Sequence, residues 1–164
     1  MARSSLDLAK HIIFLLTQKE YSMSNTKVQK VLYCYLGFGL ANKRIEKDNI
    51  IDELPNAWDR GPVFPKVFKM IKKNEEACKN IEILAKDITS KLQEKEKEIL
   101  IKTVEAVGRH DANKLSTWTH LKDSPWDIVY NTQNAKYAKI PLELIKEYFE
   151  ENVKNLYGED EKSI

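Results

Sequence analysis

Glycine and proline are scarce in this chain, five of each among 164 residues, and cysteine occurs twice. That poverty excludes a collagen-like repeat and a long Pro/Gly-rich disordered stretch. Cys34 and Cys78 stand alone without a CxxC pair, so the sequence spells out neither a disulfide framework nor a thiolate metal site. His11, His110 and His120 are widely scattered and have no HxxxH spacing. No apolar run approaches the roughly 20 residues of a membrane-spanning helix. The opening residues Met1 to Asp7 lack the long apolar stretch of a secretory leader, and Lys10 and His11 interrupt the apolar residues beyond them. P-loop, GxGxxG and nucleophile-elbow patterns are absent as well. The expectation is a cytoplasmic protein that uses no cofactor or metal, lies outside membranes and is not an enzyme.

What is present suits one soluble domain. Apolar residues make up 42% of the chain and charged residues 32%, and the length is enough to bury a core. The formal net charge of +2 is too near zero to mark a nucleic-acid binder.

Helical periodicity dominates the pattern. Ser4 or Ser5 caps a first helix to about Thr17, with Leu6, Ala9, Ile12, Ile13 and Leu16 on one side. After a cap at Ser22 or Ser24, Val28, Val31, Leu32, Tyr35 and Leu36 form the apolar stripe of a second helix. Within it Cys34 reads as a small core residue, while Gly37 and Gly39 leave room for a close neighbour. Ile45 and the Ile50-Ile51 pair flank the polar Glu46-Lys47-Asp48-Asn49, which fits a small hairpin within 44–57 or an irregular loop. Helix resumes after Gly61-Pro62, with Pro62 launching the first turn. A helix from Ser90 to Gly108 buries Ile99, Leu100, Thr103, Val104 and Val107 and turns Glu94 to Glu98 to solvent. Short helices start at Asp111 or Asn113 and at Ser124-Pro125-Trp126-Asp127, and Pro141 opens the last one, with Ile145, Tyr148, Phe149 and Val153 inward. The expected class is all-α: one domain over 1–155 with about six helices and at most a small β-hairpin, then an acidic disordered tail over 156–164.

The densest local signal is Ala57-Trp58-Asp59-Arg60-Gly61-Pro62-Val63-Phe64-Pro65. Gly61 permits a bend closed to other residues, so Trp58, Gly61 and Pro62 read as its builders, with Trp58 anchored in the core. Asp59, Arg60 and Phe64 are the residues the bend would present to a partner, although Arg60 and Phe64 suit packing equally well. Tyr33, off the buried stripe, reads first as core packing and second as a candidate for a partner-facing groove. Lys66, Lys69, Lys72 and Lys73 share a helical face, and Lys66 and Lys69 are candidates for an acidic partner. Without aromatic–basic interleaving or helix-turn-helix spacing, nucleic acid is the weaker reading of that face. Gln29, His120 and Trp126 read as structural. A lone His near aromatics is more often hydrogen-bonded in a core than catalytic, and no Ser or Cys beside it has a nucleophile's setting.

Four stretches resemble one family, in order and at its spacing. Lys27-Val28-Gln29-Lys30-Val31-Leu32-Tyr33 resembles its K-x-Q-K-L-L-Y helix, and Ala57 to Pro65 its A-W-x-x-G-P-V-x-P signature. Leu115-Ser116, Thr119-His120 and Ser124-Pro125-Trp126 resemble its L-S-x-x-T-H-x-x-x-x-P-W segment, and Ile140 to Phe149 its closing helix. The chain is thus similar, from about Leu6 to Phe149, to the Panacea antitoxin-domain family of GepA-like and SocA-like phage-associated proteins. The resemblance implies a small helical domain that neutralises a cognate protein toxin by direct binding. One branch implies a proteolytic adaptor that hands its bound partner to a cytoplasmic protease. Val31 and Arg60 depart from the commonest pattern, the second replacing a frequent aromatic.

Overall fold

The computed structural model describes residues 2–153, so the acidic tail expected over 156–164 lies outside the described residues. Among them are seven α-helices: α1 Ser5–Gln18, α2 Asn25–Ala41, α3 Pro65–Glu76, α4 Glu94–Val107, α5 Ala112–Thr119, the short α6 Pro125–Asp127, and α7 Leu142–Asn152. A single small antiparallel hairpin pairs β1 Asn56–Trp58 with β2 Gly61–Val63. The mainly helical single domain expected from periodicity is therefore what forms.

Helix α2 is the axis of the fold. Every residue from Lys27 to Gly39 is buried, because α1, α4, α5, α7 and the hairpin surround the helix. Its apolar stripe predicts one buried face, but a helix enclosed on all sides must also bury its polar positions. Each such group then needs a hydrogen bond to offset lost hydration. Lys27 meets this need through Ser22, its Nζ donating to the carbonyl and hydroxyl oxygens, both at 3.1 Å. Gly37 and Gly39 allow close approach, since a side chain at 37 would overlap the Phe149 ring of α7 and one at 39 would overlap Ile45.

Helix starts follow their capping residues. Ser4 accepts from Asp7 N at 3.2 Å, Ser24 from Lys27 N at 3.1 Å, Asp111 from Lys114 N at 2.7 Å and Ser124 from Asp127 N at 3.2 Å. After α6 the chain widens into a π turn over Ile128–Thr132.

Three local expectations are corrected. The hairpin expected near 44–57 starts only at Asn56, at the end of that stretch; the rest holds a 3-10 turn at Lys47–Asn49, and Ile51 bridges Arg3, so the polar turn serves a loop tied to the N-terminus. Pro62 does not start a helix but lies buried in β2, and Pro65 three residues on takes the first helical position of α3. Glu96 is not in solvent with its neighbours. It is fully buried and receives Arg3 through Nε at 2.8 Å and Nη2 at 2.7 Å, because the N-terminal strand-like segment crosses the start of α4.

Candidate functional site: a clamped hairpin beside a cleft

Three-residue strands cannot satisfy their own backbone, and a two-stranded hairpin is marginal by itself. Here side chains from the surrounding helices supply the missing partners. Trp126 Nε1 donates to Trp58 O at 2.7 Å, His120 Nε2 contacts Asp59 O at 3.0 Å, and Ser116 Oγ donates to Arg60 O at 2.7 Å. From the other side Lys30 Nζ donates to Pro62 O at 3.1 Å, and Phe64 N donates to Gln29 Oε1 at 2.7 Å. Five backbone groups of the 58–64 segment are thus fixed by five side chains from α2, α5 and the turn around α6. A further layer forms where Tyr137 N donates to Ala57 O and Ala57 N to Ala138 O, both at 2.8 Å.

Gly61 is indispensable to this arrangement. Its φ of +112° lies in a region that L side chains rarely adopt, and a Cβ there would press on Thr119 Oγ1 and on Lys30. Above the hairpin His120, Trp126 and Tyr130 form an aromatic column, with centroids 3.9 Å and 4.4 Å apart. The second ring nitrogen of His120 faces Ser116 O one turn back. Both ring nitrogens of His120 therefore face backbone carbonyl oxygens, those of Asp59 and Ser116.

A cleft of about 340 Å³ opens between the hairpin, the start of α2 and α3. Trp58 and Phe68 form one wall, their rings 4.9 Å apart and edge-on, and Tyr137 flanks Trp58 at 6.4 Å. Asn25, Gln29 and Lys30 come from α2, and Arg60 stands at the rim. Asp59 is exposed there, but Tyr130 OH donates to its Oδ1 at 2.5 Å and Tyr137 OH to its Oδ2 at 3.0 Å. Those two hydrogen bonds, Tyr130 first, hold the Asp59 carboxyl below its usual range and push the Tyr130 hydroxyl up to about 12. Burial lowers the Lys30 amine to about 7, and it raises the Cys34 thiol far above its ordinary value. An amine, two amides and aromatic faces line the cleft. Among the described residues no group of three His, Cys, Asp or Glu side chains is placed to hold a metal ion.

The predicted site residues divide sharply. Asp59 and Arg60 are exposed at the cleft, with the Asp59 carboxylate already engaged by two hydroxyls. Phe64, which suited packing and a partner contact equally, is fully buried as the cap of α3. Tyr33, read first as core and second as lining a groove, is buried against Phe149. Trp58, expected in the core, is half-buried with its ring on the cleft wall, so Trp58 and Phe64 have exchanged places. The cause is strand alternation, which sends residue 58 to the cleft while the turn into α3 drives residue 64 inward. Lys66 and Lys69 are exposed on α3, and Lys66 Nζ lies 3.6 Å from Asp52. Gln29, His120 and Trp126 sit in the clamp. Sequence reasoning passed over Lys30, Phe68, Tyr137 and Ser116. Lys30 and Ser116 stood inside the quoted motifs, and their signal was a polar residue within a segment that packs.

Comparison with known proteins bears on the same segment. A family model described as antitoxin SocA-like, Panacea domain, matches residues 28–127, a span that holds all five clamp residues from Gln29 to Trp126. No curated protein and no solved structure matches the chain. No helix among the described residues is long and apolar enough to cross a membrane.

Proposed function

The chain belongs to the SocA-like, Panacea-domain antitoxin family, and from that premise we propose that it neutralises a cognate toxin in the cytoplasm by direct protein–protein binding, without turnover, through the cleft face of the hairpin. The observation that supports this reading is the five-fold clamp on the 58–64 backbone. A hairpin held this way loses little conformational entropy on binding, so the exposed Arg60 and the half-buried Trp58 act as preorganised anchors. Arg and Trp are the residue types that dominate protein interfaces when an apolar pocket surrounds them, and Phe68 and Tyr137 provide that surround. The basic face of α3 has a plainer account: Lys66 faces Asp52, and Lys72 lies over the Phe68 ring at 5.7 Å.

Coexpression of the chain with the product of a neighbouring gene tests the proposal. Growth should be restored and the two proteins should copurify. Trp58→Ala and Arg60→Ala should each weaken the complex about tenfold or more. Restored growth with undiminished copurification by both variants would remove the cleft face from the reading.

A further inference from the structure

The floor of the cleft carries an electrostatic demand that the chain does not meet internally. Lys30 is 1% exposed yet lines the cleft. An ammonium has three donors, and Lys30 commits one to Pro62 O. Among the described residues no carboxylate is placed to pair with it, and the nearby group that acts on its charge is Cys34, one turn along the same helix. Asp59 lines the same cleft, but its two oxygens are taken by Tyr130 and Tyr137. The neighbouring amides are engaged with each other: Gln29 Nε2 donates to Asn25 Oδ1 at 3.0 Å, and Asn25 Nδ2 to Phe68 O at 3.3 Å. A buried cation in this condition is costly until a counter-charge arrives.

We propose that the cleft is a socket for one acidic side chain of the partner protein, its carboxylate accepting from Lys30 Nζ and an adjacent apolar residue packing on Trp58 and Phe68. The inference rests on the antitoxin reading for the identity of the partner as a protein. Two carboxylate oxygens match the two donor positions that Pro62 leaves open. A phosphate would set further oxygens against Trp58, Phe68 and Val63 and bring a second negative charge toward Asp59. Arg60 at the rim adds attraction for an incoming acid. The amine sits at about 7 while unpaired, so pairing draws a proton onto it near neutral pH. Around it, burial keeps the Cys34 thiol protonated, the tyrosine hydroxyls keep Asp59 ionised, and hydrogen bonding to Asp59 keeps Tyr137 neutral.

The experiment uses the whole chain and three probes: N-acetyl-Leu-Glu-Leu-amide, its Gln counterpart and deca-thymidylate. Calorimetry gives affinity, and amide NMR shifts at Val63 and Phe64 give location. The Glu peptide should bind about tenfold or more tightly than the Gln peptide, the gain of a charge-assisted hydrogen bond, and shift the cleft amides. In Lys30→Met that preference should vanish. Equal affinities for the two peptides, or absence of cleft shifts with the Glu peptide, would overturn the proposal in the wild-type chain, whatever the variant does to folding. Tighter binding of deca-thymidylate at the same amides would reassign the socket to phosphate and overturn it too. A toxin neutralised equally by wild type and Lys30→Met, with no Glu preference, defeats the socket and leaves the antitoxin reading standing. A Glu preference with no neighbouring product neutralised does the reverse.

Discussion

Arg3 and Lys30 are two cations that this protein treats in opposite ways. At the N-terminus Arg3 meets Glu96 in a two-pronged contact, at 2.7 and 2.8 Å, with the carboxylate wholly buried. Glu96 also accepts from Gln93 N at 3.1 Å, so its oxygens are filled from inside the chain. At the cleft Lys30 has one carbonyl and no countercharge among the described residues. The first arrangement is complete and belongs to the fold. The second is complete only when something else is present, and it sits where Trp58, Phe68 and Arg60 gather. Unmet electrostatics separate a scaffold contact from a recognition contact more sharply than burial does, since Glu96 and Lys30 are both buried.

This contrast can be broken experimentally. Arg3→Ala should be the most damaging change, about 3–5 kcal/mol by urea denaturation, because it strands the buried Glu96 carboxylate; a loss below about 1 kcal/mol would place that pair with ordinary surface bridges. Gln29→Ala comes next, at about 1–3 kcal/mol, since it orphans the buried Phe64 N–H. Lys30→Met should cost less than about 1 kcal/mol, as the lost carbonyl contact is offset by removing a lone charge. Its pH behaviour is the sharper measure. The Lys30 amine is depressed from 10.5 to about 7, so the folded chain binds fewer protons than the unfolded chain between those values. Wild-type stability relative to Lys30→Met should therefore rise as pH climbs from about 7 toward 10.5 and level off below about 7. A flat difference across that window would mean the amine is paired or solvated, and the contrast with Arg3 would collapse. Arg60→Ala should be the mildest, within about half a kcal/mol in stability, and should show itself in the loss of the partner.

Much of the fold was legible because it is local. Serine caps at 4, 24 and 124 and the aspartate at 111 start helices where their neighbours alone predict it. Gly37 and Gly39 announced close approaches that Phe149 and Ile45 then make. The hairpin was misplaced because its strands are three residues long, too short for alternation to register, while the Ile-flanked turn at 46–49 mimicked one. The site was half legible. Its backbone bend is written in Gly61, but which side chains the bend exposes is not. Phe64 and Trp58 changed places because the direction of the chain into α3 is set by packing across Val67 and Ile71. Tyr33 and Lys30 went inward for a related reason, since how many neighbours enclose α2 is invisible in its own periodicity.

By itself, then, the sequence determined the capped starts of α1, α2, α5 and α6, the glycine-dependent bend at 61 and the motifs that assign the family. Those are matters of local sterics, capping and residue order. The tertiary structure alone decided that Gln29, Lys30, Ser116, His120 and Trp126 converge on one short hairpin, and that Lys30 is left with a charge to share. Residues nearly a hundred positions apart must meet for either to be true, and hydrogen-bond demand is settled only once every neighbour is in place.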